Sequence, residues 1–170
     1  YTWNTNSNAN SIVVTPTSNV SYSLNGRSAV GCAGNTATLA VTVYSLPVLS
    51  ISGNAFICNG NTTTLTVSGA NTYTWNTNAN SNSITVSPTV NTSYTTTGTD
   101  NNGCVNTTVK TVTVNAIPQL SITGLAAICS GDSKTLTVSG AGTYTWSTGS
   151  NGTSVVVTPT LSSGMYTLSV

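Results

Sequence analysis

The sequence predicts an all-β chain assembled from tandem β-sandwich modules, and three observations carry that expectation. Thr, Ser and Asn make up 80 of the 170 residues, whereas charged residues make up only 3%. Apolar residues, at 38%, alternate with hydroxylic ones at the period of two that marks a half-buried strand. A string beginning YTW occurs three times at a nearly constant step, the mark of a repeat architecture.

Thr, Val, Ile, Tyr and Trp suit a pleated surface, and Asn, Gly and Ser suit the turns between strands. Disordered chains combine low hydrophobicity with high net charge. Here the net charge is +1, so a folded chain is expected, with solubility supplied by neutral groups. The same arithmetic excludes function classes. Asp100 and Asp132 are the only side-chain carboxylates and there is no His, which leaves no ordinary acid/base pair and argues against an enzyme. No cofactor is expected. Arg27, Lys110 and Lys134 are the only basic side chains, too few to neutralise a run of nucleic-acid or lipid phosphates. No apolar run approaches the ~20 residues needed to cross a bilayer, so direct membrane insertion is not expected. The chain starts without an initiator Met, a basic segment or an apolar signal core, and so reads as beginning in mid-protein.

The repeat sets the organisation. YTWNTN at Tyr1 returns as YTWNTN at Tyr73 and as YTWSTG at Tyr144. The steps from Trp3 to Trp75 and from Trp75 to Trp146 are 72 and 71, and Pro16, Pro88 and Pro159 keep them. Tyr22, Tyr94 and Tyr166 are 72 apart, as are Cys32 and Cys104; Cys58 to Cys129 and Pro47 to Pro118 are 71. The expected domains are therefore the later part of one module at residues 1–47, a complete module at 48–118, and the earlier part of a third at 119–170. Such a chain reads as a window cut from a longer array, the alternative being a subunit whose end modules are completed by strands from neighbouring copies.

Within the complete module, Leu65 and Val67 oppose Thr64 and Thr66, Tyr73 and Trp75 oppose Thr72 and Thr74, and Ile84 and Val86 alternate with Thr85 and Ser87. Further strands are expected near 48–53, 92–99 and 105–114, separated by GAN, NANSNS, SPTVN and DNNG turns. The apolar parity switches between Val105, Thr107, Val109 and Val112, Val114, which predicts a bulge near Lys110 or Thr111. No segment has helical period. Short strands with one apolar face each imply two packed antiparallel sheets, and the fold class is all-β, with tandem immunoglobulin-like β-sandwich modules of about 71 residues.

The order ICNGNTTTLTVSG, TYTW, SITVSPTVNTSYTTTGTDNNGC, TVTV and a Pro linker resembles the immunoglobulin-like and PKD-like tandem repeats of giant secreted surface proteins of gliding Bacteroidota, exported by the type IX route. The resemblance covers all three copies. It implies an extracellular or cell-surface location and a structural or adhesive role. Copy 1 departs from the pattern at SLNGRSAVGC, where Arg27, Ala29 and Val30 replace the Thr99 to Asn102 type of turn, so the copies do not share one turn sequence there.

In that extracellular setting, two cysteines per module without a CxxC pair or a His read as disulfides rather than metal ligands. Cys58 and Cys104 are the preferred pair, and closing the loop between them is worth roughly 3 to 4 kcal/mol on the chain-entropy model. Cys32 and Cys129 would pair outside this window. Sandwich topology raises an alternative, because Cys58 and Cys104 belong to opposite ends of a standard module. Each would then bond to an adjacent module.

Trp3, Trp75 and Trp146, with Tyr1, Tyr73 and Tyr144, are expected as core aromatics, against the alternative of a sugar-stacking platform. Tyr22, Tyr94 and Tyr166 read as partly buried strand tyrosines. Pro47 and Pro118 mark stiff linkers, since proline fixes φ and has little backbone entropy to lose. The Thr rows at 62–66 and 93–99 read as ordinary exposed strand residues, although they invite a flat-lattice reading. The expected function is structural: a repeat segment of an extracellular filament or adhesin stalk, self-associating with further copies or modules into a fibre. Surface glycans or other cells stand as alternative partners, and a carbohydrate-binding array or a spacer attached to a secreted enzyme stands as the alternative function.

Overall fold

The computed structural model describes residues 1–124, 127–158 and 168–169; Pro159 and Tyr166 lie outside that range. Every regular element described is a strand. Residues 1–47 contribute β1 (Thr2–Trp3), β2 (Val20–Asn25) and β3 (Ala37–Val41). The next stretch contributes β4 (Ser50–Ser52), β5 (Phe56–Cys58), β6 (Thr63–Ser68), β7 (Thr72–Trp75), β8 (Ser83–Val86), β9 (Thr92–Thr99) and β10 (Val105–Asn115). The last contributes β11 (Ser121–Thr123), β12 (Lys134–Ser139), β13 (Thr145–Trp146), β14 (Ser154–Val157) and β15 (Leu168–Ser169). The chain divides into two compact units, Tyr1–Ala55 with Thr62–Thr113, and Phe56–Asn61 with Val114–Val170.

In the first unit, β6 lies between β4 and β8, and a separate sheet runs β10-β9-β7; β5 and the last residues of β10, against which it pairs, belong to the second unit. The alternation on β6 is complete: Thr63, Leu65 and Val67 are buried while Thr64, Thr66 and Ser68 are exposed. Trp75, Tyr94, Thr96 and Val112 are buried on the second sheet. The fold is therefore β-sandwich-like, and the layers approach closely. A Cβ on Gly98 of β9 would stand 2.7 Å from Leu49 Cδ2 and 3.0 Å from the Ala70 methyl. Burial raises the Tyr94 phenol above its ordinary pKa; its neutral form therefore favours the fold, and that stability is lost as pH rises above about 10.

Gly69 fixes the turn between β6 and β7. Its φ is +104°, and a Cβ there would meet Val48 O at 1.9 Å, so only glycine lets the turn lie against that carbonyl. Gly140 reproduces the arrangement one repeat later, with φ +109° and Gln119 O at 1.8 Å.

The second unit pairs β11-β12-β14 and β13-β15 around Val138, Tyr144, Trp146, Val155 and Val157, with Leu136 and Ala141 packed against them. Its strand registers match those of the complete copy. Ile122↔Val138 and Leu136↔Val155 stand one repeat beyond Ile51↔Val67 and Leu65↔Ile84. Trp146↔Leu168, Trp75↔Thr96 and Trp3↔Leu24 are likewise equivalent pairs.

Two expectations need correction. Pairing of β10 with β9 runs without a slip from Val105↔Thr99 to Val112↔Thr92, so there is no bulge at Lys110 or Thr111. The parity instead reflects a polar inner side on β10. Asn106, Thr108 and Lys110 are half-buried while Val105 and Val109 are exposed. Asn106 Nδ2 donates to Pro47 O at 2.9 Å, and Lys110 Nζ donates to Ile51 O at 3.4 Å. These side chains satisfy carbonyls of the segment leading through β4, and apolar residues could not. Strand β5, at Phe56–Cys58, is a strand beyond those the alternation marks.

Thr96 is the anomaly in the core. It is fully buried, and its hydroxyl has no hydrogen-bond partner, whereas the equivalent positions in the other copies are Leu24 and Leu168. An orphaned buried hydroxyl costs about 1 to 3 kcal/mol. Thr96→Val, which keeps the shape and removes the hydroxyl, is expected to raise stability by about 1 kcal/mol in urea unfolding; a loss of stability would mean that the hydroxyl is satisfied.

Candidate functional site

The YTW motif folds as a clasp. Asn78 N donates to Trp75 O and Trp75 N donates to Ala79 O, both at 2.9 Å, closing a tight turn in which Asn78 takes φ 65°. Trp75 Nε1 donates to Ser81 O at 2.9 Å, and Thr74 Oγ1 donates to Asn80 Oδ1 at 2.9 Å. Asn76 Nδ2 then reaches Ser93 O on β9 at 3.1 Å. A buried indole is best placed when its N–H is satisfied, and here the loop itself supplies the acceptor. The loop from β7 to β8 is consequently fixed at several points.

The clasp recurs in each copy. Trp3 Nε1 donates to Ala9 O and Trp146 Nε1 to Gly152 O, at 2.9 and 3.1 Å. Thr2 donates to Asn8, and Thr145 to Asn151. The left-handed turn position is filled by Asn6, Asn78 and Gly149, residues that tolerate positive φ. Ahead of the Trp, Tyr73 OH donates to Ala70 O at 2.6 Å and accepts from Ala70 N at 2.9 Å. Tyr144 makes the same pair of bonds with Ala141.

Trp75 and Trp146 are 1% and 2% exposed, which removes their indole faces as a sugar platform. Tyr144 is buried, and Trp3, Tyr22 and Tyr73 are half-buried. Tyr1 is 71% exposed and is not a core residue. In the complete copy it is the turn at Ala70 that holds the equivalent Tyr73.

Beside the clasp lies a groove of about 660 Å³, walled by the end of β6, the edge of β7 and the loop that follows. Ser68, Asn71, Tyr73, Thr74, Asn80 and Asn82 line it. At the equivalent place in the second unit a groove of about 440 Å³ is lined by Tyr144, Thr145, Asn151 and Thr153 among others. Sequence reasoning passed over these amides. Their signal is an Asn five positions after each Trp, at Asn8, Asn80 and Asn151.

The cysteines form no disulfide: Cys32, Cys58 and Cys129 are exposed free thiols and Cys104 is a half-buried one. The preferred Cys58 to Cys104 pairing is not made, and strand β10 explains why. Thr113 N donates to Ala55 O, and Thr113 stands nine residues along the chain from Cys104, roughly 30 Å at the rise of a strand. The three residues from Ala55 to Cys58 recover at most ~10 Å, far short of the separation of less than ~7 Å that a disulfide needs. Of the linker prolines, Pro47 is buried and Pro118 exposed. The DNNG turn is closed internally, because Asp100 Oδ1 accepts from Asn102 N and Cys104 N at 2.8 and 2.9 Å.

Comparison of the chain with protein-family models finds no match, and comparison with curated proteins finds none either. The clasp can be tested within the chain. Asn78→Gly, which copies Gly149, is expected to change stability by less than about 0.5 kcal/mol, whereas Asn78→Val should cost about 2 kcal/mol at a left-handed position. Thermal unfolding of both variants checks the pair.

Proposed function

We propose that the chain is a segment of an extracellular filament or adhesin stalk, without catalytic activity and built of tandem immunoglobulin-like modules, each one repeat long. The observation that carries this reading is the placement of a module's two ends. At the leading end, Pro47 O is held by Asn106, two positions from Cys104. At the trailing end, Asn115 O accepts from Asn59 N, next to Cys58. Nine residues of β10 separate Asn106 from Asn115, on the order of 30 Å of strand, which suits modules joined end to end. Strand registers and clasps that recur at the step of the sequence repeat support one cassette used repeatedly, as in repeat proteins whose contacts run between neighbours.

The assignment of β4 and β5 supports the immunoglobulin-like topology. The leading segment pairs first with β6 in one sheet and then, through β5, with the end of β10 in the other. With few charges, modules can lie beside one another without long-range repulsion, which suits self-association into a fibre outside the cell. The proposed arrangement would bring a thiol of the Cys58 type at each trailing end to one of the Cys104 type at the next leading end.

Small-angle scattering from chains of three and six repeats tests the reading, with the longest dimension expected to grow in proportion to repeat number. Growth as the cube root of mass, the behaviour of one merged globule, would sink it. In oxidised six-repeat chains, peptide mapping is expected to find bonds between a Cys58-type residue and the Cys104-type residue of the following copy. Recovery of Cys58 linked to Cys104 of its own copy would refute the end-to-end arrangement.

A further inference from the structure

We propose that the groove beside each clasp is a binding site for a neutral carbohydrate chain, so that the modules carry recognition along their length as well as reach. Three features of the groove specify the ligand. Its lining is uncharged: Ser68, Asn71, Thr72, Thr74, Asn80 and Asn82 offer hydroxyls and carboxamides. A carboxamide both donates and accepts, which matches a sugar hydroxyl that does the same. No Lys or Arg lines it, and the adjoining depression at Gly69 to Asn71 is walled by Asp100, so sulfated, phosphorylated or uronic-acid chains are disfavoured.

The second feature is that the polar groups are available and held in place. Asn71 and Asn82 use only their main-chain groups, Asn71 N donating to Thr99 O and Asn82 O accepting from Val67 N. Their side-chain amides are left for a ligand. Asn80 spends its Oδ1 on Thr74, which orients its NH₂. The Tyr73 ring, pinned through its hydroxyl to Ala70, gives the wall an apolar patch of the kind that sugar C–H groups pack upon. A site already rigid loses little entropy when it binds, and its volume lies in the ordinary range for ligand sites.

The third feature is recurrence. The second unit has its groove at Tyr144, Thr145 and Asn151, although Gly142 and Thr153 stand where Asn71 and Asn82 do in the first. The third copy thus keeps the oriented Asn and the Tyr and lacks the two uncommitted amides, and it should bind the same saccharide more weakly. Sites spaced along one chain gain avidity on a polymeric ligand, which makes weak individual grooves useful. A peptide added to the edge of β7 is the main competitor for this space. That strand is four residues long and its end is already occupied, Trp75 N by Ala79 O and Thr74 by Asn80.

The experiment is a residue-resolved NMR titration of the whole chain with the neutral hexasaccharides of cellulose, mannan, chitin and starch, and with a Thr-rich strand peptide as competitor. At millimolar saccharide, at least one hexasaccharide is expected to shift Thr72, Thr74, Asn80 and Asn82, and to shift Thr145 and Asn151 at higher concentration. Asn71→Ala with Asn82→Thr should weaken the first groove about tenfold, the loss of one net hydrogen bond's worth of affinity, while the response of Thr145 and Asn151 stays unchanged and the amide resonances of β6 and β9, in the same unit as the substitutions, keep their dispersion and show that the variant is folded. Absence of shifts with all four saccharides overturns the proposal, as does a response confined to residues outside the grooves. Stronger shifts along β7 from the peptide than from any saccharide would overturn it as well.

Discussion

The hydrogen bond from the Trp75 indole to Ser81 O is the constraint on which much of the module depends. A large aromatic in the core supplies more buried apolar surface than any other side chain, but it brings a polar N–H that must be answered. The module answers it from the loop that follows β7, and in doing so orders that loop and fixes the path into β8. The buried ring and the shaped surface beside it are therefore one device. Because Asn76 ties the same loop to β9 and Asn82 O accepts from Val67 N of β6, the loop is coupled to both sheets of its own copy.

Most of the fold could be read from period and turn chemistry. Strand β9 lies at 92–99, where the sequence placed it, because Tyr94 and Thr96 alternate with hydroxyl residues and Gly98 sits at a place of close approach. Strand β10 was legible in extent and misleading in parity. Its valines at 105 and 109 face out while Asn106 and Lys110 face in, since the neighbouring segment presents carbonyls that only donors can satisfy. A rule that equates apolar with inward has no means of seeing an edge where the inner side must donate. Strand β5 escaped notice because it is three residues long and its pairing partner, the end of β10, is distant in sequence.

The site was less legible than the fold. Tryptophan at a fixed place in each copy was visible, and its burial followed from its shared face with Tyr73. The amides of Asn71 and Asn82 looked like turn residues, which they are; that they also border one depression depends on how β6 and β7 are placed across the turn at Gly69. The cysteine preference failed for a related reason. Loop length favours a bond between Cys58 and Cys104, whereas the direction of β10 places them apart, and strand direction outweighs chain entropy once the sheet has formed.

On the proposed stalk function, the geometry of β10 also bears on how a module would carry load. Its side-chain grip on Pro47 lies at one end and the bond from Asn59 to Asn115 at the other. Tension applied between the two termini of a module would run lengthwise down this strand, loading its rungs simultaneously and not peeling them off in succession. Resistance to pulling would then scale with the number of rungs sharing the strain, a mechanical toughness that needs no covalent crosslink inside the module.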